Sequence, residues 1–281
     1  MLYTIENEKY IARISSTGAE LHSLVRKADS FEYIWQADPA VWGSHAPLLF
    51  PFVGRLKDES YEYEGVKYPM TKHGFARKSE FDVSAHAADS ISLQLDGDKH
   101  LAVYPFDHLL EITFTLKADG LEVMHRVVNR SDKTMYFSIG AHPGFNCSLG
   151  DYIEFPADEE AWAYRLGEGG LLTEQPVALG VKNHRLTVDK DVFKDDALIF
   201  IDLSSRAVTL HHNGQPHVTV EYDKAPCLGI WAKPGAEYVC IEPWYGVDDG
   251  AGASGILQEK NQIVPLSAGE TFLFPMTVKP L

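Results

Sequence analysis

The chain has 281 residues, and 25 Lys and Arg residues against 40 Asp and Glu residues give it a formal net charge of -15. This acidity argues against nucleic acid or an anionic membrane surface as a partner, because both attract basic residues. No apolar run approaches the roughly 18 residues that span a bilayer, and no signal peptide is visible, so we expect a cytoplasmic, soluble protein.

The first half of the chain alternates apolar and polar residues, the pattern that predicts half-buried strands. A short helix is predicted within 37–49, and a hairpin over 60–70 that turns at Glu64-Gly65. Residues 110–116 alternate, 117–120 form a turn, and two further strand-like runs follow at 121–129 and 135–140. These runs predict an antiparallel meander of three strands.

The second half continues in the same style after a turn around 191–197. Residues 207–222 predict a hairpin centred on Asn213-Gly214, a dipeptide that suits the tightest hairpin turns. The C-terminal run TFLFPMTV alternates so that one face carries Phe272, Phe274, Met276 and Val278. With no linker or internal repeat, the sequence predicts one all-β domain over residues 1–281, a large antiparallel β-sandwich.

Signatures of metal or cofactor binding are missing from the sequence. Three cysteines at wide spacing form neither a disulfide framework nor a zinc motif, and none of the 12 histidines belongs to an HExxH motif. The run GVDDGAGASG at 246–255 does not match a calcium loop and is expected to be flexible. We therefore predict a protein that needs no metal and no organic cofactor.

Four stretches place chemically able side chains among aromatic and turn residues. They are PLLFPFVGRLKD (47–58), KHGFAR (72–77), GAHPGF (140–145) and CIEPWYG (240–246), which contain Arg55, His73, His142 and Glu242. Each of these four residues is predicted to follow a strand at a Pro or Gly turn. Loops at strand ends are where a rigid sheet displays the residues of a site.

Glu242 has the strongest local signal for catalysis. It follows the apolar residues Cys240 and Ile241 and precedes Pro243 and Trp244. A carboxylate in such surroundings is partly desolvated, which raises its pKa and makes it a better proton acceptor near neutral pH. The structural alternative is a surface glutamate that ends a strand above buried aromatics.

His142 is held on a stiff turn, because Pro143 fixes its own φ angle and favours an extended conformation at the residue before it. An imidazole with a pKa near 6.5 suits acid or base catalysis at cellular pH, although a buried, hydrogen-bonded histidine is the structural alternative. Arg55 and His73 have two interpretations as well, as donors to the hydroxyls of a ligand or as anchors of their loops.

Taken together, order and spacing of the four stretches resemble the aldose 1-epimerase (galactose mutarotase-like) family, most closely its LacX-type branch. The resemblance runs along the whole chain, from LFPFVGRL through HGFAR, GAHPGF, DDALIF and CIEPWYG to the C-terminal strands. It implies a large antiparallel β-supersandwich, in agreement with the strands predicted from the alternation.

The resemblance also implies roles for individual residues. Glu242 matches the family's catalytic base and His142 its general acid, while Arg55 and His73 match residues that bind sugar hydroxyls. A further hydroxyl-binding aspartate corresponds to Asp195 or Asp196, with Asp196 slightly favoured. Trp231, in GIWAKP, is expected to be a platform for the apolar face of a sugar.

The implied reaction interconverts the anomers of an aldose by acid–base ring opening and closing. A small sugar is the implied partner, and an unphosphorylated hexose fits the negative net charge better than a hexose 6-phosphate does. A non-catalytic carbohydrate-binding protein is the alternative of another class, but a binder does not need the acid–base pair of His142 and Glu242. The sequence leaves a homodimer open.

Overall fold

Antiparallel strands make up nearly all the regular structure in the computed structural model, which describes residues 1–156, 162–179 and 184–281. The strands are β1 (Leu2–Glu6), β2 (Tyr10–Ser15), β3 (Glu20–Arg26), β4 (Phe31–Glu32), β5 (Leu48–Leu49), β6 (Ser60–Tyr63), β7 (Val66–Pro69), β8 (Asp82–His86), β9 (Ser90–Asp96), β10 (His108–Lys117), β11 (Gly120–Asn129), β12 (Met135–Phe137), β13 (Ile139–Ala141), β14 (Gly144–Asn146), β15 (Tyr152–Glu154), β16 (Trp162–Ala163), β17 (Val177–Ala178), β18 (Arg185–Thr187), β19 (Leu198–Ile201), β20 (Ala207–His212), β21 (Gln215–Glu221), β22 (Cys227–Trp231), β23 (Tyr238–Tyr245), β24 (Val264–Leu266) and β25 (Thr271–Pro280). Short 3₁₀ turns lie at Lys57–Glu59, Ala76–Lys78, Gly97–His100, Glu168–Gly170 and Leu257–Glu259.

Two large sheets form the body of the molecule. The first has the strand order β18-β15-β20-β21-β25-β11-β10-β9-β8. The second has the order β19-β22-β23-β13-β5, and β14 also pairs with β23. Smaller sheets are β1-β2-β3-β4, β12-β24, β16-β17 and β6-β7. The predicted all-β class and the antiparallel sandwich are confirmed. In the described ranges, no helix is long and apolar enough to cross a membrane.

The main hydrophobic core lies between the two large sheets. One buried cluster contains Ile112 and Phe114 of β10 and Met276 of β25 together with Leu228 of β22 and Ile241 of β23. Side chains of a strand point alternately to its two faces, so these residues leave the opposite face of β22 and β23 for other contacts. That second face carries a smaller apolar cluster and the candidate site.

Both predicted hairpins are confirmed, with β6-β7 turning at Glu64-Gly65 and β20-β21 at Asn213-Gly214. All four turn residues have positive φ, as a two-residue hairpin turn with the twist of its strands requires. The predicted alternation of the C-terminal strand is also confirmed, since Phe274, Met276 and Val278 are buried and Phe272 is half-buried.

The predicted three-stranded meander is wrong in its third strand. β10 and β11 pair as expected, but the other neighbour of β11 is β25, and residues 135–140 join different sheets. The side-chain amide of Asn129 donates hydrogen bonds of 2.8 Å to the carbonyl oxygens of Lys133 and Leu266. These bonds turn the chain away from β11 and toward β24, the partner of β12.

The helix predicted within 37–49 is also wrong, because the segment makes one turn at residues 39–41. The side chain of Asp38 accepts the Ala40 N–H at 2.9 Å, and its carbonyl accepts the Trp42 N–H at 2.8 Å. Gly43 follows directly, and a glycine weakens the continuation of a helix. The turn predicted around 191–197 is present as a turn.

Candidate active site

The sheet register brings Glu242 and His142 together. β13 and β14 both pair with β23 on either side of a break at His142-Pro143, where proline lacks the N–H that a ladder needs. Two cross-strand pairs flank the break, Gly140 with Trp244 and Gly144 with Cys240. The register is the same on both sides, so His142 lies directly opposite Glu242.

The two side chains are in contact and shielded from water. Nε2 of His142 lies 3.2 Å from Oε2 of Glu242, whose side chain is 1% exposed. Burial raises the pKa of Glu242, an effect that the positive charge of Lys72 opposes and that the charges of Asp248 and Asp196 reinforce. Burial also lowers the pKa of His142 to about 3. The raised pKa of Glu242 and the lowered pKa of His142 both favour the uncharged form, so the pair is expected to share a single proton.

Aromatic side chains surround this pair. The ring of Trp42 stacks on His142 with 5.2 Å between centroids, and Trp231 meets His142 edge-on at 5.9 Å. Trp244 lies flat across two glycines of the neighbouring strands. A Cβ atom would come within 2.4 Å of the indole at Gly140 and within 2.5 Å at Gly229. The two glycines therefore create the space that Trp244 occupies beside Glu242.

The pair lies in a cleft of about 240 Å³ that includes most of the predicted site residues. Its polar and charged lining consists of Ser44, Lys72, His73, Arg77, His142, Asp196, Glu242 and Asp248. Its apolar lining includes Trp42, Trp231 and Trp244. The combination of aromatic faces with converging polar groups is typical of a site for a small polar ligand.

His73 enters the cleft as a hydrogen-bond donor. The N–H of Gly54 donates to Nδ1 of His73 at 3.1 Å, and a backbone N–H can only donate. Nδ1 is therefore unprotonated, and the ring proton lies on Nε2. Burial, followed by the charge of Lys72, lowers the pKa of His73 well below its usual value, which keeps the ring neutral.

The two aspartates of the KDDALIF run have different positions. Asp196 lines the cleft, and its Oδ1 accepts the N–H of Ala197 at 2.8 Å. Its φ of 67° is unusual for a residue other than glycine and lies at the end of the turn before β19. Asp195 is exposed and does not line the cleft, and its charge instead acts on Arg165. Of these two aspartates, Asp196 therefore lies in the candidate site.

Arg55 does not line the cleft. Nη1 of its guanidinium pairs with Oε1 of Glu59 at 2.5 Å. Its backbone N–H donates to Oδ1 of Asp248 at 2.6 Å. Its charge still contributes to the lowered pKa of His73, so Arg55 lies near that residue. In this structure Arg55 contributes to the site through its backbone.

Sequence reasoning missed several residues of the cleft. Lys72 lies next to His73 in KHGFAR, and Trp42 lies in the segment predicted as a helix. Asp248 lies in the run predicted to be a flexible loop, yet Asp248 is 2% exposed and Asp249 is 6% exposed. The expectation of a flexible loop is wrong for these two residues. The acidic dipeptide Asp248-Asp249, six residues after Glu242, is the signal that could have found Asp248.

Two groups of residues could hold a metal ion in the described part of the chain. One is Glu20, His22 and His45, and the other is His142, Cys240 and Glu242; the ligand atoms of each group lie within 4.8 Å of one another. In the first group, Glu20 accepts the backbone N–H groups of His45 and Ala46 at 2.9 Å, which ties it to its own loop. The prediction of a metal-free protein remains untested.

Comparisons with known proteins agree with this arrangement. A family model described as aldose 1-epimerase matches residues 1–257. The plasmid-encoded protein LacX of Lactococcus lactis subsp. lactis is 31% identical to this chain, with 94% of each chain covered.

Two solved structures are similar over the whole chain. The galactose mutarotase related enzyme of Lactobacillus acidophilus has a TM-score of 0.92 and 35% identity, covering 100% of this chain and 97% of its own. A galactose mutarotase-like protein of Lactobacillus casei has a TM-score of 0.94 and 30% identity, with 99% of each chain covered. The chain therefore belongs to the aldose 1-epimerase family of mutarotase-like isomerases, within its LacX-type branch.

Proposed function

We propose that this protein is an aldose 1-epimerase that interconverts the α and β anomers of an unphosphorylated hexose. The observation that carries the proposal is the contact of 3.2 Å between His142 and Glu242 inside an aromatic-walled cleft. Ring opening needs one group that takes a proton and another that gives one. A carboxyl and an imidazole that share a single proton supply one acid and one base.

In the proposed reaction, Glu242 removes the proton of the C1 hydroxyl while His142 delivers a proton to the ring oxygen. The C1–O5 bond breaks, and its electron pair goes to the ring oxygen as the C1 carbonyl forms. Rotation about the C1–C2 bond then presents the other face of the carbonyl, and the two residues exchange roles as the ring closes. Positioned acid–base groups of this kind each accelerate a reaction by roughly 10²–10⁴-fold.

The unliganded cleft favours the proton on Glu242, because burial raises the pKa of this carboxyl and lowers that of His142. A sugar hydroxyl that donates to Glu242 stabilises the carboxylate form, since hydrogen bonds to a charged form favour it. The proton then moves to His142 across the 3.2 Å contact. Substrate binding thereby produces the protonation state that the proposed reaction needs.

The remaining lining residues suit the recognition of a sugar. Nε2–H of His73 is a donor for a hydroxyl oxygen, and the carboxylate of Asp196 is an acceptor for a hydroxyl proton. Trp231 is half-buried and offers an apolar ring face to the C–H bonds of a pyranose. Proton transfer between these groups and the sugar requires neither a metal nor an organic cofactor. We further propose that residues 1–281 act as one cytoplasmic domain.

Exchange spectroscopy of anomeric protons tests the proposal. Magnetisation transfer between the α and β anomers of glucose and of galactose should increase with the concentration of the protein. A heat-inactivated sample and the Glu242→Gln variant serve as controls and should leave the spontaneous rate unchanged. If the rate in a panel of unphosphorylated aldoses matches the buffer rate although the sugars bind, a non-catalytic carbohydrate-binding protein is the better description.

A second candidate substrate is a hexose 6-phosphate, which the cations of the cleft favour. Lys72 and Arg77 both line the cleft, and Nη2 of Arg77 donates to the carbonyl of Lys72 at 3.0 Å. Two carboxylates, those of Asp196 and Asp248, line the same cleft and oppose an anionic ligand. This balance makes the neutral sugar the first choice.

Parallel measurements with glucose and glucose 6-phosphate separate the two candidates. If the phosphate ester is the substrate, Lys72→Met should lower kcat/KM for glucose 6-phosphate by about 10-fold or more, because a charge-assisted hydrogen bond is lost. The same variant should change the value for glucose much less. Equal losses for both sugars would contradict a phosphate-binding role of Lys72.

A further inference from the structure

Asp248 is a buried carboxylate to which the proposed acid–base chemistry assigns no role. It is 2% exposed and lines the cleft. Its Oδ1 accepts the N–H of Arg55 at 2.6 Å. It also packs against Gly54 so closely that a Cβ atom at position 54 would lie 2.2 Å from Cγ of Asp248. The carboxylate therefore fixes the peptide segment of residues 54 and 55 from one side.

His73 holds the same segment from the other side. The N–H of Gly54 donates to Nδ1 of His73 at 3.1 Å, and its carbonyl accepts the backbone N–H of His73 at 2.8 Å. His73 itself has a φ of 68°, a conformation that few residues with a side chain adopt unless their surroundings enforce it. The two hydrogen bonds to Gly54 supply such surroundings. They also set the tautomer that leaves Nε2–H as the ring's donor.

From this geometry we propose that Asp248 is a positioning residue that acts through Gly54 and Arg55 to hold His73 in its orientation and tautomer. The role rests on the proposed function, in which Nε2–H of His73 donates to a sugar hydroxyl. Gly54 is required at its position, because it combines a φ of 72° with the close approach of the carboxylate.

The loop that carries Asp248 is anchored from behind. Nζ of Lys260, a residue with a 3% exposed side chain, pairs with Oδ1 of Asp249 at 2.6 Å and donates to the carbonyl of Val247 at 2.8 Å. Oδ2 of Asp249 accepts the N–H of Lys57 at 3.0 Å. Asp248 thus accepts the backbone N–H of Arg55, and Asp249 accepts that of Lys57 in the same loop at 54–57. This double attachment keeps the carboxylate of Asp248 in place against Gly54.

Kinetics of two variants and a matched control test the positioning role. Asp248→Ala removes the acceptor of the Arg55 N–H, and we expect KM for the substrate sugar to rise by about 10-fold with a smaller change in kcat. Asp248→Asn keeps an oxygen that can accept the same N–H, and its KM should stay within about 3-fold of wild type. Asp195→Ala changes an exposed aspartate outside the cleft and should leave both constants unchanged.

NMR of protein labelled with ¹⁵N-histidine reads the tautomer without any need for activity. In the wild type, His73 should be neutral with its proton on Nε2, and the amide of Arg55 should be protected from hydrogen exchange. In Asp248→Ala the His73 signal should shift toward a mixture of tautomers. A folded Asp248→Ala variant with unchanged KM and an unchanged His73 signal would overturn the proposal.

The wild-type measurement decides the matter even if Asp248→Ala does not fold. A protonated ring or an Nδ1–H tautomer at His73, or rapid exchange of the Arg55 amide, would also refute the positioning role. If the wild type lacks epimerase activity while the NMR expectations hold, the proposed function fails and the attachment of His73 through Gly54 stands. The two outcomes are therefore distinguishable.

Discussion

Replacement of Glu242 by glutamine separates catalysis from binding in this cleft. The amide has nearly the volume of the carboxyl group, so a side chain that is 1% exposed and packed beside Trp244 can be replaced with little strain. The amide can still hydrogen-bond a sugar hydroxyl. It cannot accept a proton, so the loss should fall on kcat and much less on KM.

The expected loss of kcat is at least about 100-fold, the lower end of the effect of one positioned base. A 100-fold loss corresponds to about 2.7 kcal/mol in the activation barrier. The assay is saturation kinetics from anomeric exchange spectroscopy, with Glu237→Gln, an exposed glutamate, as the matched control. A folded Glu242→Gln protein with kcat within about 3-fold of wild type would remove Glu242 as the base.

Thermal unfolding of the same variant tests the electrostatic part of the reasoning. Burial raises the pKa of Glu242 in the folded state above the ordinary value of 4.5, so the unfolded chain releases this proton more readily. Ionisation therefore destabilises the wild type as the pH rises above about 4.5. Because the amide does not ionise, Tm of Glu242→Gln should match or exceed that of wild type at pH 8. A clearly lower Tm at that pH would contradict the inferred burial cost.

Four further predictions concern the cleft and its surroundings. Gly229→Ala should reduce activity and lower the free energy of unfolding by about 1–3 kcal/mol in denaturant titrations, because its Cβ atom would meet Trp244 at 2.5 Å. A variant with unchanged stability would mean that the indole is not confined there. Asp196→Asn should raise KM, whereas Asp195→Asn should not, and equal effects would contradict the assignment of Asp196 to the cleft. Because burial lowers the pKa of His142 to about 3, its imidazole should stay neutral in an NMR titration from pH 8 to pH 4.5. The contribution of this neutral ring to stability should be lost as the pH falls from about 6.5 toward 3. A titration midpoint near 6.5 would refute the lowered pKa. Dialysis against a strong chelator should leave kcat unchanged, and restoration of lost activity by zinc would point to a catalytic metal.

Local patterns in the sequence predicted the parts of the fold that local geometry controls. Alternation identified β10, β11 and β25, and the dipeptides Glu64-Gly65 and Asn213-Gly214 identified two hairpins. The partner of β11 was beyond such reasoning, because the strand order depends on hydrogen bonds from Asn129 to residues far along the chain. Pairing between distant strands is set by tertiary contacts, which a local pattern does not contain.

Some features of the candidate site could likewise be predicted from the sequence, and others could not. His142, His73, Glu242, Asp196 and Trp231 all line one cleft. Each was recognisable from its residue type together with the family resemblance. The predicted position of Glu242 after a strand end is wrong, because this residue lies inside β23 and pairs with Gly229. The position of Arg55 outside the cleft depends on the direction of its side chain, which no spacing in the sequence reveals.

Asp248 was missed for a related reason. A run rich in glycine and aspartate is typical of an exposed turn. Its burial results from Lys260 and from the backbone of the loop at 54–57, which come from other parts of the chain.

Because β13 and β14 pair with β23 in the same register, the distance between His142 and Glu242 is set by the spacing of neighbouring strands in the sheet. Neighbouring strands lie about 4.8 Å apart whatever their sequence, so no closing movement is needed to bring the imidazole to the carboxyl. The same coupling makes the arrangement intolerant of changes in chain length. Deleting or inserting one residue in β23 before Glu242 would turn the carboxyl to the opposite face of the sheet and into the hydrophobic core. Variation in length is therefore expected to accumulate in loops outside these strands, and the strands that carry the pair should keep a fixed number of residues.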